Sequence, residues 1–553
     1  MKYLFLFTIT PVQDFISQSR KLKDLFGSSE ILSYMSEIGM KICKREKGEI
    51  IFPFYNEKSR QKSYPNRFLV EFNKKNEEEL KSIGKEIEEN LLKYLRGLNN
   101  LNHLKIKEHL EEYFTFYWAF SEIESDYKSA FDNVEKLLAG AKNRRFFNQL
   151  GSGEGEFGRK CSICGERNVA VYNGKLSMPK EQLKKDKPKR NKIAQKDEGL
   201  CGVCYAKRAN SSQKFDSTAE VALMHIFNKV KRENYSNLED EAQLFFEENL
   251  TKHYFEKNNI YINLKDCKDD FEKFKNELKK HKLKQTSYYA VVMFDGDSMG
   301  EWLSGNSINK DNLLGFHKTL SKKLGDFAQE ANKILNNPKG LTVYAGGEDF
   351  LGFININHLF EILQELREEW NKIVANPLQQ EFETKEKLTF SAGVVVAHYK
   401  TPLYEVLKKT RVAEKRAKEY DSKKDKICFV ALKRSGEIRE TVVPYSHLSH
   451  LQNILKELKV NFSDGFISVL EREFDLMVKA NGLLDIDKRV SILVTEIKRL
   501  LNRAQKIQTI KSEKVNKFTE EEIKPLITKN FTNFVNTLNI IRFLKRETND
   551  NTN

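Results

Sequence analysis

Apolar and polar positions along this chain follow two rhythms that return in the same order. At the start, KYLFLFTIT alternates with the period of a strand, and the segment from Pro11 to about residue 42 carries apolar residues at helical spacing. Pro11 stands near the helix entrance, where an amide hydrogen is not needed. EIIFPFY (49–55) and NRFLVEF (66–72) alternate again across a polar loop; helices are predicted over 75–97 and 102–114, a strand over 115–123 and a helix over 125–146. This β-α-β-β-α-β order, with extra helices, is the split pattern of a ferredoxin-like sheet. The order recurs as a strand at 288–294, a helix at 310–336, a hairpin at 341–354, a helix at 357–375, a strand at 388–397, a helix at 402–420 and a strand at 427–432.

Only the second unit carries paired acids. YYAVVMFDGDSMGEW ends an apolar run in Asp295 and Asp297, and LTVYAGGEDFLGF places Glu348 and Asp349 in a turn between two short strands. Either motif alone is ordinary turn composition, because Asp and Gly are what turns prefer. In this order, with a helix between them, they predict carboxylates that converge on Mg²⁺, which takes hard oxygen ligands and retains substrate phosphates. The second unit therefore reads as a nucleotidyl-transfer palm. Asp295, Glu348 and Asp349 are the expected catalytic metal ligands. The stretch Gly296, Asp297, Ser298, Met299 and Gly300, where strand gives way to helix, is expected to cradle a triphosphate, and Gly346 and Gly347 allow close approach to the hairpin. Lys418 is the expected phosphate-facing cation. The loop at 56–66 in the first unit is basic and lacks adjacent carboxylates, so that unit is expected to be non-catalytic.

Between the units, KCSICGER and GLCGVCYAKR place Cys161, Cys164, Cys201 and Cys204 in two CxxC pairs across a 36-residue spacer. That spacing predicts a closed, structural Cys₄ zinc site. The Lys- and Pro-rich spacer is expected to be a mobile loop, and ETNDNTN at the end to be disordered. Residues from about 211 to 283 and from about 436 to 545 read as helical. The predicted fold is α+β, with a first palm at 1–147, a zinc-bearing helical region at 148–285, a second palm at 286–435 and a C-terminal helical bundle and tail at 436–553.

At 553 residues the chain exceeds one core. No apolar run approaches membrane-spanning length, and the first residues lack a signal-peptide cleavage site, so the sequence predicts a cytoplasmic protein with no membrane partner. A formal charge of +15 points to a polyanionic partner, although lysine bias alone also yields basic, solvated faces.

These segments resemble a known family, the large polymerase-cyclase subunit of type III CRISPR effector complexes, and above all its Cmr (subtype III-B) form. The residues that carry the resemblance are TPVQDFISQSRKLKDLFGSSEILSYM, YPNRF, KCSICGER, CGVC, FDGDSMGEWL, YAGGEDF and FSAGVVVAHYKTPL, which run in the family's order from Met1 to about residue 432. The resemblance implies two nucleotidyl cyclase-like palms, a zinc region and a helical bundle, held with other Cmr subunits in a ribonucleoprotein with guide RNA. It further implies that target RNA switches on synthesis of an adenylate second messenger from ATP for antiviral defence, with Mg²⁺ or Mn²⁺ on Asp295, Glu348 and Asp349. The product is expected to be a cyclic oligoadenylate, or AMP joined to S-adenosylmethionine.

Two departures from the family pattern stand out. The hairpin reads GGED where GGDD is usual, which lengthens one ligand by a methylene; related GGDEF-type cyclases accept either acid there. No His-Asp dipeptide occurs, so nuclease activity of the HD type is not expected. The rival readings are a GGDEF-like cyclic dinucleotide synthase using GTP, an inactive RNA-binding scaffold, and a template-directed polymerase.

Overall fold

The computed structural model describes residues 1–56, 63–144, 157–185, 187–211, 217–258, 260–309, 312–480, 486–506, 512–527 and 530–549, with side chains not described at 185, 474–480 and 486–489. The first unit runs β1 (Lys2–Thr10), α1 (Gln13–Ser17), α2 (Leu22–Arg45), β2 (Glu49–Phe52), β3 (Arg67–Asn73), α3 (Glu77–Gly97), α4 (Leu104–Glu111), β4 (Thr115–Glu122) and α5 (Tyr127–Asn143). Its antiparallel sheet has the order β2-β3-β1-β4. Alternation in β1 explains why both faces are covered: Tyr3, Phe5, Phe7 and Ile9 enter one core with α2 and α3, while Leu4 and Leu6 enter another with α5.

A cysteine knuckle follows, with β5 (Val171–Tyr172), α6 (Lys180–Lys185), β6 (Lys189–Arg190), β7 (Gly199–Leu200) and α7 (Gly202–Ala209). Next come α8 (Thr218–Phe227), α9 (Lys252–Asn258) and α10 (Leu264–Lys280). The second unit runs β8 (Tyr288–Gly296), α11 (Met299–Leu303), α12 (Leu313–Ile334), β9 (Gly340–Gly346), β10 (Asp349–Asn355), α13 (Leu359–Trp370), α14 (Asn376–Phe382), β11 (Phe390–His398), α15 (Leu403–Glu419), β12 (Lys426–Leu432) and β13 (Ile438–Pro444). The chain closes with α16 (Leu448–Val460), α17 (Gly465–Ala480), α18 (Ile486–Arg503), α19 (Ser512–Phe518) and α20 (Phe531–Glu547). The second sheet has the order β13-β12-β11-β8-β10-β9, so its β11-β8-β10-β9 part repeats the arrangement of the first sheet.

The two sheets share a core through α12. Its Phe316, Leu320 and Leu324 pack with Leu4, Leu6 and Leu69 of the first sheet and with Ala290, Val292 and Phe294 of β8. On the opposite face of the second sheet, Tyr289, Val291, Leu351 and Val395 meet α8 and α15. The knuckle packs into the first unit instead, with Cys201, Val203 and Tyr205 in the core of Phe5, Phe7 and Ile106. Arg208 on α7 reaches Asp24 on α2 through two nitrogens, at 2.7 and 2.9 Å, and also pairs with Glu198; all three side chains are at most 3% exposed. Burial opposes the Asp24 charge, but the Arg208 guanidinium holds its carboxyl below the usual range.

Several expectations are corrected. The long helix predicted after Pro11 is two helices, because the Asp24 carboxylate takes the amides of Arg20 and Lys21 at 3.1 and 3.0 Å and starts α2 afresh. The helix predicted over 357–375 ends at Trp370 and continues through a wide turn, Asn371–Ala375, into α14. The spacer expected to be mobile folds back on the knuckle: Gln182 is buried, accepting from the Arg159 amide at 2.8 Å and donating to Val169 O at 3.2 Å. Residues 438–444, read as helical, form the edge strand β13. Its outward amide and carbonyl at Val442 are both met by the Asn533 side chain of α20, at 2.8 Å each, so a helix closes an edge that would otherwise remain open. The C-terminal helices thus pack on this same chain. Of the tail expected to be disordered, Glu547 ends α20 and Thr548 and Asn549 are buried; residues 550–553, the loop residues 57–62 and the predicted helix end at 145–146 lie outside the described residues.

β11 and α15 approach so closely at Gly393 that a Cβ there would lie 2.3 Å from Thr410 O and 2.4 Å from Glu414 N, both helix backbone. We expect Gly393→Ala to destabilise the protein by about 1–3 kcal/mol, as overpacking does. Urea titration of the two proteins side by side checks this, and an unchanged midpoint would contradict it.

Candidate functional site

Strand register decides which acids meet. β10 pairs antiparallel with β8 from Phe350 opposite Phe294 onward, so the next position along sets Asp349 across from Asp295. Side chains alternate, and both acids point to the face that carries Val291, Leu351 and α15. Between β9 and β10 only Gly347 and Glu348 turn the chain, Gly347 with φ +65°. A two-residue turn with glycine first in that conformation matches the right-handed twist of its strands and puts Glu348 at the tip. Gly296 completes the approach: a Cβ on it would stand 3.1 Å from the Glu348 Cβ and 2.8 Å from Met299.

The structure therefore sets Asp349 beside Asp295, with Glu348 in the adjoining turn. Burial pushes the Asp349 carboxyl well up, with Glu348 and Asp295 adding like-charge repulsion; Glu348 is raised for the same reasons. Solvent reaches Asp349 at the rim, yet protein crowds it closely. Lys418 on α15 is ion-paired to Asp295 and lies 3.1 Å from Glu414 Oε1. Burial works against its charge, but Asp295 outweighs it and raises the ammonium above its ordinary value. Carboxylates are the hard oxygen donors that Mg²⁺ or Mn²⁺ takes, so these acids fit such an ion in chemistry, although among the described residues only the four cysteines bring their ligand atoms within 4.8 Å of one another.

Asp297 is not part of this group. It is buried, accepting from Thr389 Oγ1 at 2.7 Å and from the Asp425 amide at 3.2 Å. Ser298 adopts the left-handed conformation (φ 56°, ψ 31°) and accepts from Lys424 Nζ at 2.8 Å. Met299 is packed inward, and Gly300 faces open space. The helix that begins here, α11, has five residues, a shorter dipole than the sequence suggested. At the hairpin, Gly346 O accepts from Tyr344 Oη at 3.1 Å.

The first unit supplies the facing wall. The recess that holds Asp295 and Asp349 is also lined by Val12, by Gln13 and Ile16 of α1, by Tyr64 and Asn66, and by Arg411 and Glu414 of α15. Ser63 Oγ donates to Ala345 O at 2.6 Å and accepts from Ala345 N at 3.1 Å, and Ser29 Oγ donates to Val343 O at 3.2 Å. These serines fasten the open edge of β9. Arg411, Glu414, Lys424 and Ser63 were missed from sequence. The first two follow from helical spacing, being seven and four residues before Lys418 on one face, whereas Lys424 and Ser63 give no sequence signal.

The cysteines form a separate centre. Cys161, Cys164, Cys201 and Cys204 bring their sulfurs within 4.8 Å of one another, with the Ile163 and Cys204 amides donating to Cys161 and Cys201 at 3.4 and 3.5 Å. Four convergent thiols with amide donors fit a tetrahedral metal, so the cluster could hold one.

Comparison with known proteins finds relatives of the second sheet unit and of the N-terminal part. Residues 288–428 match the family model described as Cas10/Cmr2, second palm domain, and residues 4–100 match the one described as CRISPR-associated protein Cmr2, N-terminal. The chain is 25% identical over 601 aligned residues to the CRISPR system Cmr subunit Cmr2 of Pyrococcus furiosus, covering 85% of this chain and 66% of that protein, so it spans slightly under two thirds of that relative. Among solved structures it resembles a chain of the type III-B Cmr-beta cryo-EM structure in the apo state, with TM-score 0.66 at 14% identity, 98% of this chain and 82% of that one being covered. The same assembly bound to cognate target RNA gives 0.64 at 14% identity, with 98% and 83% covered. Palm sheet, N-terminal unit and relatives together define a mixed α+β palm protein. Over its second palm and its N-terminal part the chain is similar to Cas10/Cmr2 proteins, and its fold is that of a chain of the type III-B Cmr-beta assembly.

Because the Asp349 carboxyl is raised in the folded chain, its contribution to stability is complete below the ordinary carboxylate range and is lost as pH rises through its folded value. We expect Asp349→Asn to melt higher than wild type at pH 7.5 in EDTA. Millimolar Mg²⁺ should raise the wild-type melting temperature and leave the variant unchanged; a variant that melts lower in EDTA would contradict this.

Proposed function

We propose that this protein is the target-RNA-activated nucleotidyltransferase of a type III-B CRISPR effector complex, making an adenylate second messenger from ATP. The observation that carries the reading is the register that sets Asp349 across from Asp295, with Glu348 at the turn, beside a recess walled by helices and a loop of the first unit. Asp295, Glu348 and Asp349 are the residues that would hold Mg²⁺ or Mn²⁺, which when bound would neutralise phosphate charge and favour an ionised hydroxyl. In the reaction, a ribose hydroxyl oxygen bonds to the α-phosphorus of ATP, the bond to the β-phosphate oxygen breaks, and pyrophosphate leaves with the electron pair. The hydroxyl proton passes to solvent. Lys418 would shift from Asp295 to the phosphates, and the amides of residues 296–300 with Gly346 and Gly347 would line the nucleotide's path.

The rest of the reading follows the same division of labour. The first palm, residues 1–147, holds the second substrate; the Cys₄ centre is a structural zinc site that ties residues 157–209 to it; the second palm extends from 286 to 444 so that β13 stays with its sheet. The basic charge serves guide RNA and target RNA within a complex of Cmr subunits. Among the described residues no helix is long and apolar enough to cross a membrane.

Mass spectrometry of products from ATP, with and without S-adenosylmethionine and target RNA, tests the assignment and identifies the second substrate. We expect product only with target RNA, and Asp295→Ala with Asp349→Ala to lower it by about 100-fold or more, the scale of losing charge stabilisation in a transition state. Unchanged yield would reduce the chain to a scaffold, and incorporation of GTP alone would favour a cyclic dinucleotide synthase. Metal analysis should return about one zinc per chain, and Cys201→Ser should lose it together with stability, as closed thiolate sites contribute folding energy.

A further inference from the structure

Two cations of α15, Lys418 and Arg411, stand within electrostatic reach of the acids. Lys418 is occupied by Asp295 and Glu414. Arg411 lines the recess but makes no hydrogen bond or ion pair among the described residues. The acids of Glu414, Asp14 and Asp349 lie close enough to influence it, yet none pairs with it. Were Arg411 present only to neutralise the helix, Glu414, three residues away on the same face, would be its natural partner; Glu414 goes to Lys418 instead.

The two cations are also too far apart to grip one group. Seven residues at 1.5 Å each put Arg411 about 10 Å from Lys418 along α15, on nearly the same face. Beside the acids and Arg411 the recess is lined by the apolar Met293, Val343 and Leu351 of the sheet and Val12 and Ile16 at α1, and by the polar Gln13, Ser29, Tyr64 and Asn66. A recess that combines acids, a largely apolar lining and an unpaired guanidinium suits a nucleoside that carries an anionic substituent. The planar fork of arginine matches a phosphate or a carboxylate through two parallel hydrogen bonds.

We propose that Arg411 binds the anionic group of the second substrate, placing that substrate's nucleoside along this lining with its ribose hydroxyl towards Asp295 and Asp349. This rests on the nucleotidyltransferase reading and deepens it. Two sources share the chemistry: a phosphate of a second ATP, or the carboxylate of S-adenosylmethionine. Arg411 is a substrate-binding residue in this scheme, and Lys418 serves the donor triphosphate.

Calorimetric titration of the full chain with Mg²⁺ tests it, using a non-hydrolysable ATP analogue and then S-adenosylmethionine as probes on wild type, Arg411→Gln and Arg411→Lys. Wild type should bind one equivalent of analogue at the donor position and a second equivalent of either probe. Arg411→Gln should weaken only the second equivalent, by about 10-fold or more, the scale of losing a charged hydrogen bond, and Arg411→Lys should recover part of it. Whichever probe is weakened identifies the source. Wild-type affinity for both equivalents in Arg411→Gln overturns the assignment, as does equal loss of both with an unchanged melting temperature. Failure of wild type itself to bind either probe would instead strike the nucleotidyltransferase reading, and this inference with it.

Discussion

The pairing of β8 with β10 is the constraint on which the site depends. A strand shifted by one residue turns every side chain to the opposite face, so a single slip would bury Asp349 among Phe294 and Phe350 and leave Asp295 without a neighbour. That register is held from several directions. Phe294 stacks between Phe350 and Phe390, with ring centroids 4.7 and 4.2 Å away, locking three adjacent strands through one face. The short turn leaves no slack, and Gly296 admits the hairpin tip where any side chain would push it off.

The two edges of the second sheet are handled alike. At one end Asn533 from the C-terminal helices meets the backbone of β13, and at the other Ser63 from the first unit meets the backbone of β9. A side chain that both donates and accepts takes the place of a neighbouring strand. The sheet is thereby closed by parts of the chain far away in sequence. The hairpin that bears Glu348 is fastened to the first unit, whose sheet repeats part of the arrangement of the second.

Much of this was legible in the residues. The two β-α-β-β-α-β units, the acidic hairpin and the CxxC pairs announce themselves through period, turn composition and spacing, which are local properties. What the sequence hid depends on partners distant along the chain. β13 reads as helix because its period is short and its edge is completed by Asn533. The spacer between the cysteine pairs reads as mobile because its stretch 177–199 is rich in Lys and Pro, while a buried amide, Gln182, helps to fasten it. Asp297 reads in FDGD as part of a triphosphate cradle, and only the turn after Gly296 sends it inward to Thr389. Arg411 and Ser63 belong to ordinary surface compositions until the two units face each other across the recess.

The buried set of Asp24, Arg208 and Glu198 has a bearing on descent. Removing one member strands a charge in a water-poor interior, a loss of about 3–5 kcal/mol, whereas a well-packed apolar trio in its place is tolerated in other proteins. Single substitutions at these positions are therefore closed to drift, and the three should be inherited or exchanged as a block. Homologous sequences from distant hosts ought to show correlated change between a position at the start of α2 and two flanking the second cysteine pair, a pattern that joins the knuckle to the wall of the recess by ancestry as well as by contact.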